Sequence, residues 1–559
     1  MPDKSQLEDS RQWPGSASAR SYGPVLILAL AALVLALPML FYGPMPDGHD
    51  TYEHVNFTRQ FAEQFWHGDL SPHWLLNLNH GLGSPTFFVY PPLPSYAYSL
   101  LSPAGKALHF DTFSTMAFLA LFASGVSAFL WIRTLASRRV SLVVAVLYML
   151  MPYHLAGDFY RRMALSEIWA LVWMPLVLYC TTQVVNGRGA AVAGLALAYG
   201  LLLLSHPSAA VILGVIPVLF AATLAAPGRR TRSALLVSGG MLLGIGLASF
   251  YFVPALYHSR YFPVSRLHFP LEGNLLSLGR SLFEATLFAR ALSLTVYSMV
   301  AFTAICGMAA FGSAGVEQRK QIAFWLAVCL VSAVLMSRFS FSLWKKLPWL
   351  LDLVQFPWRL NLLLCLAALP IAAIFLSQVS RPLATWRASA LVLVVCLAVT
   401  WLFSYWSVFH DYSDTTPFTH DPVSEADGWF EAWKVPGTDS MRALQATTEP
   451  KARFVSGQGT AQVLLWKPRL VELQANSSSG GMVMINQFYY PEWRARIAGR
   501  SHPLAVEAAL PQGLVEVQVP AGDEKVDMEI PVAWDERLGR WLSLLSVLVC
   551  AGLVWQGRH

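Results

Sequence analysis

Runs of about 20 mainly apolar residues, bounded by charge, Pro or Gly, recur along this chain of 559 residues and limit what it can fold into. About twelve stand out, near 24–43, 113–132, 140–156, 167–185, 190–206, 208–226, 235–257, 295–313, 321–337, 360–379, 388–407 and 538–556. Each is long enough to cross a bilayer as a helix, the form that satisfies its backbone N–H and C=O groups without water. Charged residues make up only 13% of the chain, against roughly 25% in an average soluble domain. The expected class is an α-helical polytopic membrane protein. The runs on either side of His206 read equally as two helices joined by a tight turn or as one broken helix.

The basic residues give an orientation. With the N-terminus inside, alternate connections carry Arg133, Arg138 and Arg139, then Arg188, then Arg229, Arg230 and Arg232, then Arg319 and Lys320, then Arg381 and Arg387. These loops are short and basic, as the positive-inside rule expects of the cytoplasmic side. An even number of spans follows, with both termini cytoplasmic. The run at 24–43 is too long for a signal core, and "LPMLFYGPMP" has no small-x-small cleavage site, so it reads as a retained helix. All six cysteines fall in proposed spans without metal-ligand spacing. The net charge of +6 sits largely in the cytoplasmic loops, which suits anionic lipid headgroups and not nucleic acid.

From about His410 to Trp534 the apolar runs stop and period-2 alternation begins, in "RLVELQA", "GMVMINQF", "LVEVQVP" and "KVDMEIP". The expected layout is a cytoplasmic tail at 1–23, a helical membrane domain at 24–408, a small external β-sandwich at 409–537, and a final span with a short tail at 538–559.

The connection after the first span, residues 44–112, is much too long to be passive. It opens with "PMPDGHDTYEHVNFTRQF". From Thr51 to Phe65 it reads as a helix, on which Asp50 and His54, four apart, share a face; Asp47 lies one turn earlier. A carboxylate at this water–lipid boundary can accept the proton of an incoming hydroxyl while a guanidinium neutralises a departing phosphate. Arg59, Arg161, Arg162, Arg260, Arg266, Arg280, Arg338 and Arg359 are candidate cations on the same side. The same residues admit plainer uses. Asp47 can cap the following helix, Asp50 can form a surface ion pair, and Asp50 with His54, joined by His49 or Glu53, can bind a divalent cation such as Mg2+ or Mn2+. The sequence itself requires no cofactor.

"PYHLAGDFYRRMALSEIWAL", residues 152–171, crosses to the same face. Asp158 and Arg162 can simply bridge each other, or Arg161 or Arg162 can reach a phosphate with Glu167 orienting it. In "DLVQFPWRLNL" the aromatics and Arg359 fit an interfacial belt with a snorkelling arginine. His206 is ambiguous.

"GHDTYEH", "NHGLGSPTFFVYPPLPSY", "PYHLAGDFYRRMALSEIWAL" and "QFPWRL" resemble the membrane proteins called 6-pyruvoyl-tetrahydropterin synthase-related. That group is similar to the YfhO-type proteins and to the C-type (GT-C) glycosyltransferase superfamily, and "YYPEWRARIAG" resembles the external β-domain of YfhO-type members. The pterin chemistry in the name needs a histidine-bound zinc in a compact soluble fold, and no convincing histidine triad occurs here. The resemblance implies a GT-C-like helical domain in a bacterial inner membrane that takes sugar from a polyprenyl-phosphate donor at the external face and passes it to an envelope glycan, lipid or protein. It also implies that an aspartate of the first external loop is the base. Asp50 matches best and Asp47 second, although Gly48 and His49 separate two acidic residues that are often adjacent in the superfamily. Tyr90 and the "YPPLP" turn would line the acceptor cleft. A lipid-linked glycan transporter and a non-catalytic envelope scaffold are the other classes in view.

Overall fold

The computed structural model describes residues 22–45, 48–263, 271–276, 287–379, 430–500 and 502–557. The helices that frame the site and the bundle are α1 (Gly23–Tyr42), α2 (Thr51–Trp66), α3 (Leu93–Leu108), α4 (Thr112–Ile132), α5 (Arg138–Leu150), α6 (Leu165–Val185), α7 (Ala191–Ser205), α8 (Pro207–Leu213), α9 (Ile216–Leu224), α10 (Arg230–Leu247), α11 (Ser249–His258), α12 (Leu287–Phe311), α13 (Val316–Met336), α14 (Asn361–Val379) and α15 (Trp534–Gln556), beside a few short helical turns. Among the described residues nine helices are long and apolar enough to cross a membrane, or ten if the bent pair α10–α11 is one span. The span expected at 190–206 is the shorter, 15-residue α7. The span expected at 388–407 lies outside the described residues.

Apolar periodicity explains the packing. On α1 the buried residues Leu28, Ala32, Ala36 and Met39 form one stripe spaced three or four apart, while Leu26, Leu30 and Val34 on the other faces stay exposed, as in a helix between protein and lipid. α14 is buried on all sides from Leu362 to Phe375 and forms the centre of the bundle. The bend between α10 and α11 is 75°. It is bridged by α15, where Ser543 Oγ accepts from Phe250 N at 2.9 Å and lies 3.0 Å from the Leu247 carbonyl as its donor. A side chain thus satisfies backbone groups that the break releases in a setting without water.

The first long connection is a folded unit. α2 buries Phe57 and Phe61 against Leu75, Leu78 and Phe87, and its limits agree with the helix expected from Thr51 to Phe65.

The C-terminal strands are β1 (Ala452–Lys467), β2 (Leu470–Phe488), β3 (Arg494–Ile497), β4 (Pro503–Leu504), β5 (Val506–Ala509), β6 (Leu514–Val519) and β7 (Gly522–Glu529). A small β-sandwich was the expectation; the strands form one continuous seven-stranded sheet. β2 accounts for the difference. One edge of it pairs with β1 along its length, while the other pairs with β7 over Leu470–Ser477 and then with β6 from Gly481. The change of partner falls at Gly480, whose φ of 73° is open to glycine at little steric cost. Inward residues of both halves, including Val471, Leu473, Val483, Val517, Val526 and Met528, share one core.

That core extends into the first connection, where Trp74, Leu82 and Phe88 join it. Trp74 Nε1 donates to Gln487 Oε1 at 2.8 Å, and Gln487 Nε2 donates to the Gly81 carbonyl at 2.8 Å. Gly83 allows this approach, because a β-carbon there would collide with the Trp74 indole. Trp74 is fully buried, so Trp74→Ala is expected to weaken the joint by about 3–5 kcal/mol. Limited proteolysis in detergent should then release the β-domain at lower denaturant; an unchanged digestion profile would show that the indole does not hold the two parts together.

Candidate functional site

The site lies where the first connection, the α5–α6 junction, the start of α8 and the segment before α14 meet. After α5, Pro152 interrupts the α-helical ladder and Tyr153–Arg162 winds as a π-helix. This segment ends at Met163, which adopts the left-handed conformation (φ 55°), an uncommon state for a residue with a β-carbon. The turn brings the Arg162 carbonyl to Asp50 N at 2.9 Å and sets the residue 161 carbonyl 3.4 Å from His49 N. Two backbone contacts therefore join the exit of the first span to the end of the third.

The side chains continue the connection. Arg162 Nη1 lies 2.5 Å from Asp158 Oδ1 and 2.9 Å from Glu167 Oε2, and its guanidinium carbon sits 4.7 Å from the Trp358 ring centroid. Arg162 Nη2 faces Asp50 Oδ2 at 3.6 Å. Arg162, Asp158 and Glu167 are buried, whereas the Asp50 side chain is 40% exposed. Asp50 is thus the accessible end of a buried ion network.

Glu167 is the hub of that network. Tyr153 Oη donates to its Oε1 at 2.5 Å, Arg359 Nε stands 3.4 Å from Oε2, and His206 Nε2 is 3.9 Å away. His206 Nδ1 accepts from Ala209 N at 3.0 Å and so caps α8. That bond leaves the neutral ring's proton on Nε2, on the Glu167 side. Arg359 departs from the interfacial-belt reading. It is 8% exposed, donates from Nη1 to the Val354 carbonyl at 3.2 Å and to Gln355 Oε1, and turns inward to Glu167. The Glu167 carboxylate supplies the counter-ion that a guanidinium buried in this way requires.

His54 shares the Asp50 face, as its spacing predicts, but is buried. Tyr90 Oη lies 3.3 Å from His54 Nδ1, and Ser166 Oγ donates to the same phenol at 3.3 Å. Burial pushes the His54 imidazole down from 6.5 to about 4, with Asp50 opposing the shift. The unfolded chain takes up a proton as pH falls through 6.5, and the folded protein does so only near 4. Stability is therefore full above 6.5 and declines as pH falls toward 4. Between about pH 7.5 and about pH 4.5 this group should remove roughly 2–3 kcal/mol. His54→Gln should flatten that part of a denaturant-midpoint profile, and an unaltered slope would refute the assignment.

Arg59 is not brought to this cluster. Nine positions along a helix are two and a half turns, which carries it to the opposite face and about 13 Å away; its guanidinium lies against Tyr98 of α3. Asp47 lies outside the described residues. Among the described residues no group of three or more His, Cys, Asp or Glu side chains is arranged to hold a metal ion. The bridge between Asp158 and Arg162 that their spacing allows is present; sequence reasoning missed Trp358 as the floor under Arg162 and Ser166 as a partner of Tyr90. The one prior signal was the cost of ionisable residues inside apolar runs.

Residues 87–409, more than half of the chain, match the family described as 6-pyruvoyl-tetrahydropterin synthase related domain, membrane protein. The chain belongs to this family. The matched span of this family member contains Tyr90, Asp158, Arg162, Glu167, His206 and Arg359 but begins after Asp50. No curated protein matches the chain. Among solved structures it is similar to the arabinofuranosyltransferase AftD from Mycobacteria, at 19% identity and TM-score 0.42, covering 71% of this chain and 27% of that one. It is also similar to the archaeal oligosaccharyltransferase AglB from Archaeoglobus fulgidus in complex with an inhibitory peptide and a dolichol-phosphate, at 14% identity and TM-score 0.42, covering 76% of this chain and 59% of that one. The chain therefore spans less than two thirds of either neighbour's length.

Proposed function

We propose that this family member is a membrane glycosyltransferase that moves a sugar from a polyprenyl-phosphate donor to a hydroxyl of a cell-envelope acceptor. The face bearing the β-domain is taken as external, with both termini cytoplasmic in a bacterial inner membrane. The observation that carries the reading is the half-open Asp50 carboxylate held 3.6 Å from a buried arginine at the end of the helical bundle. Such a pairing sets a proton acceptor beside a cation at the boundary where a lipid-borne phosphate resides.

In the reaction the acceptor oxygen attacks the anomeric carbon and its proton passes to Asp50. The bond between that carbon and the phosphate oxygen breaks, and the electron pair leaves with the polyprenyl phosphate. Attack from the opposite face inverts the configuration. Arg162, assisted by Arg161, steadies the leaving phosphate. Glu167 is a positioning residue that acts through Arg162, and Tyr90 borders the acceptor cleft. A transporter would be expected to carry its buried charges nearer mid-membrane. Here Glu167 is the third residue of α6 and Arg162 closes the π-helical segment, so the charges gather at one end of the bundle.

The test is to incubate the purified protein with polyprenyl phosphates bearing radiolabelled sugars and with envelope extracts. Label should leave the lipid fraction, appear in an acceptor, and release polyprenyl monophosphate in equal amount. Failure of every donor to lose label would remove the reading.

A further inference from the structure

We propose that the Asp50–Arg162 ion pair is a resting lock on the base, and that the phosphate of a lipid-linked donor opens it by taking Arg162 Nη2. The inference rests on the glycosyltransferase reading and adds a regulation of that site.

The two partners are unequally held. Arg162 is fixed through Nη1 by Asp158 at 2.5 Å and Glu167 at 2.9 Å, and it lies over Trp358. At 5% exposure it has little room to swing. Only Nη2 is turned to Asp50, at 3.6 Å, beyond the roughly 2.7–2.9 Å of a well-formed charge-assisted bond. The Asp50 backbone is held by its N–H to the Arg162 carbonyl at 2.9 Å, while its side chain is 40% exposed. The arginine is thus the anchored partner and the carboxylate the movable one.

The donor's phosphate is a diester whose negative charge is shared by two non-bridging oxygens in a geometry that suits a guanidinium, and it outcompetes one long carboxylate contact for the same nitrogen. Side-chain rotation then releases the carboxylate without moving the backbone. Losing a cationic neighbour and gaining an anionic one makes a carboxylate a better proton acceptor. The base is therefore strengthened only when the donor is in place, and donor binding precedes proton removal from the acceptor.

The experiment labels the full-length, detergent-solubilised protein with a water-soluble carbodiimide and an amine, and reads modification of Asp50 by mass spectrometry. Three samples are compared: no addition, a short-chain polyprenyl monophosphate, and inorganic phosphate at the same concentration. Binding of the polyprenyl monophosphate is measured separately by calorimetry. Asp50 labelling is expected to rise several-fold with the polyprenyl monophosphate and to stay at baseline with inorganic phosphate. Asp50→Asn, which removes the competing carboxylate, is expected to bind the polyprenyl monophosphate several-fold more tightly. Binding without any rise in labelling overturns the lock and leaves the glycosyltransferase reading intact; absence of binding overturns both. An equal rise with inorganic phosphate overturns the assignment to a lipid-borne phosphate.

Discussion

Asp50→Asn is expected to lower sugar transfer by about 10²–10⁴-fold, the range associated with losing a general base. The substitution keeps the size of the side chain and the backbone bond from residue 50 N–H to the Arg162 carbonyl. It removes one partly exposed ion contact at 3.6 Å, so folding stability should change by less than about 1 kcal/mol. Arg162 still has Asp158 and Glu167 as counter-ions. The measurement pairs a transfer assay with a denaturation midpoint on the same preparation. Wild-type rates in the variant would show that another group, Asp47 foremost, takes the proton. Lost activity together with a lowered midpoint would make Asp50 structural.

Glu167→Gln should lower the stability of the helical bundle strongly. The amide matches the carboxylate in shape but removes the charge facing Arg162 at 2.9 Å and Arg359 at 3.4 Å. Arg162 keeps Asp158, whereas Arg359 keeps the Val354 carbonyl, the Gln355 amide and the Phe356 ring, all of them neutral. Removing one member of a buried pair typically costs about 3–5 kcal/mol, because the remaining charge is stranded away from water. Asp158→Asn is the comparison. Asp158 Oδ2 has no hydrogen-bond partner among the described residues, and Arg162 keeps Glu167 when it changes, so the loss should be smaller. Thermal unfolding of the three proteins in one detergent ranks them. Equal stability of the Glu167 variant and wild type would mean that the hub is not held by charge.

The pairing of Asp50 with Arg162 could be anticipated in outline, since both segments were assigned to one face from loop charge and span counting. The helix after Asp50 was legible because its evidence is local: apolar positions at helical spacing in 51–65. Arg359 shows where such evidence ends. "QFPWRL" carries the pattern of an interfacial belt, and nothing within it reveals that a carboxylate about 190 residues earlier draws the arginine inward. Gln355, in the left-handed region at φ 64°, and the short 3-10 turn Pro357–Leu360 decide where that arginine points. Arg59 illustrates the converse. It shares a side of the membrane with Asp50, but helical phase turns it to Tyr98.

The C-terminal domain divides along the same line. Period-2 alternation identified strands, whereas the exchange of β2 from β7 to β6 at Gly480 depends on pairing between distant segments. By itself the sequence determined the recurrence of apolar helices long enough to cross a membrane, the presence of a β-rich domain and the concentration of ionisable residues at a few junctions. Hydrophobic burial and backbone hydrogen bonding act through periods that repeat within a dozen or two neighbouring residues. Only the tertiary structure decided which charges meet, that Glu167 joins Tyr153, Arg162, His206 and Arg359, and that the sheet is continuous. The physical reason is that a buried charge is stabilised by partners within a few ångströms in space, and their separation along the chain does not reveal that distance.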